Sequence, residues 1–300
     1  MRECRFYEKE KDSTVRCQAC HHFCLIRNRQ TGLCGVRKNI DGRLMLLVYG
    51  YPAAINVDPI EKKPLYHFLP GSRAFSFGTF GCNFKCKNCH NCDISQQKEQ
   101  KEILNFVRNN KEFSPEKIVE LAKRNNCLSI AYTYNEPTIF SEYALDIMEL
   151  AHQKDLKNVW VSNGYFSDLV LEKISKYLDA INIDIKSFAD DFYKKFAGAR
   201  LMPVLKNVKK VKRKKIHLEI TTLIIPGLTD DLTMLKNLAL FIKKELGIDV
   251  PWHISAFSGV ISWQLKNYPE TLPKKIFEIC ELGKRVGLKN VYPGNIFGTT

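Results

Sequence analysis

Three hundred residues, 45% hydrophobic and 11% aromatic, are ample for a sizeable core and fit one large α/β domain with a small appendage. No apolar run reaches the length of about 18 residues that a membrane span needs, and the opening MRECRFYEKEKD lacks the apolar stretch of a secretory signal. A formal net charge of +14 raises nucleic acid as a partner, although an acidic protein or an anionic substrate would draw on the same charge.

Residues 1–70 have a character of their own. Cys17, Cys20, Cys24 and Cys34 fall as C-x2-C-x3-C-x9-C among Gly32, Gly35 and Gly42, with His21 and His22 between them. So small and glycine-rich a segment cannot bury enough apolar area to fold alone, and a metal staple suits it, either zinc on four thiolates or a second iron–sulfur cluster. The chain holds eleven cysteines, an odd number partly grouped in tight pairs, which favours metal ligands in a reducing cytoplasm over disulfides. A short strand is expected over 44–49, and the proline-rich stretch 52–70 reads as a connector.

From residue 75 short apolar runs alternate with amphipathic helices. Strands are expected near 75–80, 128–133, 159–162, 180–186, 217–221 and 251–255, with a last one near 290–292. The segment 95–113 reads as polar. Ser114 caps a helix that has Pro115 at its first position, and Ser167 caps another. Further helices are expected over 138–153, 230–245 and 272–286. The basic run 206–215 has no aromatic side chains among its charges to stack bases. It reads as the wet face of a helix whose Val204, Leu205, Val208 and Val211 turn inward, which argues against nucleic acid. In 180–186 Asn182, Asp184 and Lys186 share one face; His217, Glu219 and Thr221, and then His253 and Ser255, repeat the pattern. Between flanking helices such a polar face points into a barrel. Six βα units are fewer than the eight of a closed barrel, so the expected fold is α/β, a partial (β/α)6 TIM-like barrel over 71–300 with a small Cys-rich N-terminal extension.

In such barrels the active site lies at the C-terminal ends of the strands. The motif GCNFKCKNCHN (81–91) follows the first strand there and holds Cys82, Cys86 and Cys89 as C-x3-C-x2-C. Three thiolates leave one iron of a 4Fe–4S cubane without a protein ligand. A zinc site completed by His90 or Cys92 is the alternative. Tyr134 to Pro137, Asn163–Gly164, Asp184 with Lys186, and Ile225 to Gly227 leave other strands at the same rim, and His253 lies within the sixth. Glu136, Asp184, Lys186 and His253 also admit a plain reading as partners in buried hydrogen bonds. Cys127 and Cys280 read as core residues.

GCNFKCKNCHN resembles the signature of the radical S-adenosylmethionine enzymes, and its CHN ending resembles the glycyl-radical-enzyme activases such as pyruvate formate-lyase activating enzyme. DPIEKKPLYHFLPGS (58–72), YTYNEPTIFSEY (132–143), NIDIKSF (182–188) and LIIPGLTD (223–230) are similar to the radical enzyme of the AmmeMemoRadiSam system, over nearly the whole chain. The resemblance implies that Cys82, Cys86 and Cys89 ligate a 4Fe–4S cluster. It also implies that S-adenosylmethionine chelates the fourth iron and is reductively split to a 5′-deoxyadenosyl radical for hydrogen abstraction. It places Glu136 at the methionine ammonium, Asn163–Gly164 at the third-strand cofactor motif, Asp184 and Lys186 near the carboxylate or ribose, and His253 at the adenosyl end. The implied partners are an unidentified substrate, a cytoplasmic one-electron donor of flavodoxin or ferredoxin type, and Memo-like proteins of the same system. Asn88 stands where the superfamily usually carries an aromatic residue, and Tyr134 and Asn135 stand where activases carry glycines. A glycyl-radical activase, or a non-catalytic metal- or RNA-binding protein, are the rival readings.

Overall fold

The computed structural model describes residues 1–96 and 99–296. Its centre is one eight-stranded sheet. In chain order the strands are β1 (Ala54–Pro59), β2 (Arg73–Gly78), β3 (Ser129–Tyr132), β4 (Lys157–Ser162), β5 (Ala180–Asp184), β6 (His217–Ile224), β7 (Trp252–Ala256) and β8 (Val291–Gly294). Their spatial order is the order of the sequence, with β1 antiparallel to β2 and every later pair parallel. The sheet has two ends, β1 and β8, so the barrel is partial as expected, although it has eight strands where six units were counted: Ala54–Pro59 and Val291–Gly294 extend its two edges.

The helices follow from their caps and stripes. Ser114 Oγ accepts from Lys117 N at the head of Pro115–Arg124, and Ser167 Oγ accepts from Val170 N at the head of Asp168–Ile174. Leu201–Arg213 buries Val204, Leu205, Val208 and Val211, exposes Lys206 and Lys212 and leaves Lys209 and Lys210 half-buried, in line with its spacing. Two elements were not legible. Gln100–Asn109 is a helix inside the stretch read as polar, started by a reciprocal capping box between Glu99 and Glu102. Ala54–Pro59, read as part of a connector, is the antiparallel edge strand; its proline sits at the end of the strand, where a missing N–H costs no ladder bond.

The rest of that connector enters the barrel. Ile60 and Leu65, with Phe68 beside them, pack against Ala74, Ala131, Val159 and Ala180, small side chains near the starts of four strands. Above them lies a polar layer from the inward faces of β5, β6 and β7. Glu219 accepts from the backbone amides of Tyr66 (3.1 Å) and His67 (2.8 Å), and Asn182 Nδ2 donates to the Pro64 carbonyl at 2.8 Å. Lys63, buried, pairs with Asp58 at 2.6 Å and lies over the Tyr134 ring. The polar faces do point inward, and residues 58–68 close that end.

The N-terminal segment forms two small antiparallel sheets, one of Arg2–Glu3, Arg37–Ile40 and Arg43–Leu46, the other of Tyr7–Lys9, Val15–Cys17 and Leu25–Ile26. Val15, Ile26, Val36 and Leu46 belong to the same apolar core as the barrel. Arg37 fixes the junction. Fully buried, it donates to both carboxylate oxygens of Glu142 (3.0 and 2.5 Å), to the Ile139 carbonyl (2.9 Å) and to Ser141 Oγ (3.0 Å). A buried guanidinium is tolerated because its donors find acceptors in fixed geometry.

Candidate functional site

The cysteine loop leaves β2 at Gly78 and turns at Gly81, whose φ of +90° suits glycine. A Cβ at Gly81 would overlap the Cys34 carbonyl oxygen, so the loop is pressed against the N-terminal segment. Neighbours hold it from the other sides. Lys85 N and Lys87 N donate to the carbonyls of Ala197 (2.8 Å) and Phe196 (2.9 Å) in the helical turn after β5. Trp263 N and Gln264 N, in the loop after β7, donate to the carbonyls of Cys89 (3.1 Å) and Lys87 (2.8 Å).

Cys82 and Cys86 are buried and Cys89 is half-buried, its Sγ 3.1 Å from Ser95 Oγ. Burial pushes the Cys82 thiol well above its ordinary range, with Cys86 and Glu136 adding to the effect. Burial likewise pushes Cys86 up to about 11, against the pull of Lys186. Thiols in this setting stay protonated unless a coordinated cation removes the proton. Around them buried polar atoms lack partners: Asn83 Nδ2, Asn88 Oδ1, His90 Nε2 and, on the β3 exit, Asn135 Oδ1. Such groups are costly to leave unpaired, so their concentration at one loop marks a place where something binds. Among the described residues no three His, Cys, Asp or Glu side chains gather tightly enough to hold a single metal ion. Three neighbouring thiols on one loop suit a multi-iron cluster, whose separate irons each take one thiolate.

The remaining sequence candidates divide. Glu136 closes the exit of β3 and is 1% exposed. Its Oε1 accepts from Thr138 N (3.1 Å), Thr138 Oγ1 (2.5 Å) and Ser162 Oγ (2.9 Å), and its Oε2 from Asn163 N (2.7 Å). Burial raises its proton affinity while those bonds oppose it. Glu136 thus braces the β3 exit to the β4 exit, and Oε2 is the oxygen with acceptor capacity to spare for an ammonium group. Asn163 Nδ2 donates to Asn83 Oδ1 at 2.7 Å, so β4 holds the cysteine loop directly. Gly164 (φ +72°) lies where a Cβ would press on Ile183. Asp184 and Lys186 form an ion pair at 2.9 Å, and Lys186 N donates to Tyr193 Oη at 3.1 Å. Burial would lower the Lys186 ammonium, but Asp184 and Cys86 beside it hold its proton affinity above the ordinary value. Burial lowers the basicity of His90, which Lys186 lowers further and Asp184 opposes.

His253 lies elsewhere. Its Nε2 meets Glu219 Oε2 at 2.6 Å, and its ring packs against those of Tyr66 and Tyr292. The structure therefore gathers Cys82, Cys86, Cys89, Glu136, Asn163, Gly164, Asp184 and Lys186 at the rim and sets His253 in the polar layer beneath it. Residues that sequence reasoning passed over include Asn83, whose place inside the cysteine motif was a signal, and Tyr193, for which no spacing rule offered one. Cys127 and Cys280 are core residues, as expected.

Cys17, Cys20, Cys24 and Cys34 are also brought together, lining one cavity whose inner wall includes Asn83 and Thr138.

Comparison with known proteins gives the following. The family model described as the Radical SAM superfamily matches residues 77–239. An uncharacterised protein of Methanocaldococcus jannaschii is 40% identical over 298 residues, covering 99% of this chain and 86% of that protein. The pyruvate formate-lyase-activating enzyme of Clostridium pasteurianum is 26% identical over 190 residues, covering 61% of this chain and 76% of the enzyme. In fold the chain is similar to Streptococcus suis SuiB bound to S-adenosylmethionine, with a TM-score of 0.56 at 12% identity over 73% of this chain. The match spans 49% of SuiB, about half its length. A radical SAM methyltransferase from Sphaerobacter thermophilus gives a TM-score of 0.55 at 11% identity, over 77% of this chain and 68% of that one.

Proposed function

The chain belongs to the radical SAM superfamily, an enzyme class built on a 4Fe–4S cluster and S-adenosylmethionine, and from that premise we propose that it abstracts hydrogen from a substrate at the rim formed by β2 to β5. Cys82, Cys86 and Cys89 hold the cluster in this reading. When bound, the cluster and its cofactor supply a 5′-deoxyadenosyl radical by one-electron cleavage of the sulfonium. The chain's own contribution is placement and exclusion. Glu136 Oε2 takes the methionine ammonium through a charge-assisted bond, and Lys186, kept charged by Asp184, takes an anionic or hydroxyl oxygen of the cofactor. Asn163 fixes Asn83 and with it the first turn of the cysteine loop. The loop after β7 covers Lys87 and Cys89 and limits the approach of water.

The observation that carries this reading is the pair of unpartnered buried atoms, Asn88 Oδ1 and His90 Nε2, on the same loop as the three thiols. Residues 58–68 fill the far end of the barrel, so a substrate reaches the site from the rim. The activating-enzyme relative supports a second reading, in which the substrate is a glycine of a protein partner. The plug speaks for the first, since DPIEKKPLYHFLPGS belongs to the AmmeMemoRadiSam resemblance and not to the activases. A one-electron donor is required in either case, and Memo-like proteins are candidate partners in the first. As to location, among the described residues no helix is long and apolar enough to cross a membrane.

The test is anaerobic reconstitution with iron and sulfide, followed by dithionite and S-adenosylmethionine. The wild type should form 5′-deoxyadenosine and methionine in equal amounts, and Cys86→Ala should form neither. Equal product from both proteins would end the catalytic reading.

A further inference from the structure

The four N-terminal thiols frame a second site. Cys17, Cys20, Cys24 and Cys34 line one cavity, three of them buried and Cys24 half-buried at its outer side. A single tetrahedral zinc would draw its thiolates to about 3.8 Å from one another. Among the described residues no group of three His, Cys, Asp or Glu side chains is placed to hold one such ion. Cys82, Cys86 and Cys89 share that property, and they lie in the match to a family that uses a 4Fe–4S cluster. The N-terminal set lines its cavity with four thiols, and so would leave no iron open. Asn83, 2% exposed and on the cavity wall, has its Nδ2 unpartnered.

The two thiol sets stand back to back. Gly81, next to Cys82, rests against the Cys34 carbonyl so closely that it has no room for a side chain. His22 Nε2 lies 2.8 Å from the carbonyl oxygen of Asn83, the residue after Cys82. One layer of backbone separates them, and electron tunnelling falls off steeply with distance.

We infer that Cys17, Cys20, Cys24 and Cys34 hold a second, fully ligated 4Fe–4S cluster that relays electrons to the one at Cys82, Cys86 and Cys89. The inference rests on the reading of the barrel thiols as a cluster site. In each cycle a low-potential one-electron carrier, of flavodoxin or ferredoxin class, is oxidised by one electron and the N-terminal cluster is reduced by one. That electron then moves inward and reduces the barrel cluster, restoring the N-terminal one. No bond forms or breaks and no proton is needed.

Metal and sulfide analysis with EPR of the reduced, anaerobically reconstituted protein tests this. Wild type should hold about eight irons and eight sulfides, and the Cys82/Cys86/Cys89→Ala triple variant about four. Cys17/Cys20→Ala should also fall to about four and lose a different EPR signal. Because the triple variant leaves the N-terminal set intact, it decides the matter even if Cys17/Cys20→Ala fails to fold. One zinc per chain, or four irons in wild type that disappear from the triple variant, overturns the second cluster. For the relay, 5′-deoxyadenosine formation driven by flavodoxin is compared with that driven by dithionite. Cys24→Ser should lower the flavodoxin-to-dithionite ratio at least tenfold, and an unchanged ratio overturns the relay. Eight irons without any 5′-deoxyadenosine from wild type would support the second cluster while ending the proposed catalytic function, so the two fail separately.

Discussion

The two ends of the barrel differ in where their buried polar groups find partners. At the end closed by residues 58–68, buried charges are paired: Asp58 with Lys63, and Glu219 with two histidines and two backbone amides. At the rim Glu136 and the Asp184–Lys186 pair are satisfied too, but on the cysteine loop Asn88 and His90 carry buried polar atoms with no partner. A satisfied network stabilises the folded chain by itself, whereas unpartnered groups become worthwhile when a ligand meets them. Stability therefore resides at the plugged end and chemistry at the open one, and the difference can be tested by breaking each end in turn.

The largest stability effect is expected at the plug. Glu219→Ala removes the acceptor shared by His217, His253, Tyr66 N and His67 N, and should cost about 3–5 kcal/mol in denaturant unfolding. A cost below about 1 kcal/mol would mean the network is not holding the plug. The same group sets an acid limit. Burial alone would raise its pKa, but the bonds from His217, His253 and the two amides hold the carboxyl down at about 2, from an ordinary value of 4.5. The unfolded chain therefore takes up the proton first as the pH falls. The stabilisation, about 3 kcal/mol, is complete above about pH 5 and is lost as the pH drops from 4.5 toward 2. Unfolding free energies across that window should show this slope in the wild type and much less of it in Glu219→Gln.

At the rim the effects should fall on binding. Lys186→Met should weaken S-adenosylmethionine binding to the reconstituted protein by about 10-fold or more, as loss of a supporting charge at a metal site does. Titration followed by the cluster's absorbance measures this. The smallest effect is the sharpest contrast with the plug. His90→Ala removes a buried nitrogen that has no partner, so the metal-free protein should change by no more than about 0.5 kcal/mol, or gain stability. A loss comparable to that of Glu219→Ala would erase the distinction between the two ends.

Much of this was legible in the residues. The alternation of Asn182, Asp184 and Lys186 with Ile181, Ile183 and Ile185 reports a strand with a polar inner face, and the cysteine spacing reports the loop, because both depend on local periodicity. The plug was not legible. Nothing local says that Tyr66 and His67 will offer their amides to Glu219, more than 150 positions away in the chain. His253 was read toward the rim for the same reason. Its place in β7 follows from period two, but the direction its ring takes depends on Glu219 beside it. Glu136 stands where the motif put it, yet its role in bracing Ser162 and Asn163 depends on the parallel pairing of β3 with β4.

The central claim is that the rim holds a cluster with one iron open to S-adenosylmethionine. EPR of the reduced, reconstituted protein recorded before and after adding S-adenosylmethionine tests it most directly. The account predicts that one signal changes on addition, and that this signal is absent from Cys86→Ala. A spectrum indifferent to S-adenosylmethionine, or a responsive signal that survives in Cys86→Ala, would contradict it.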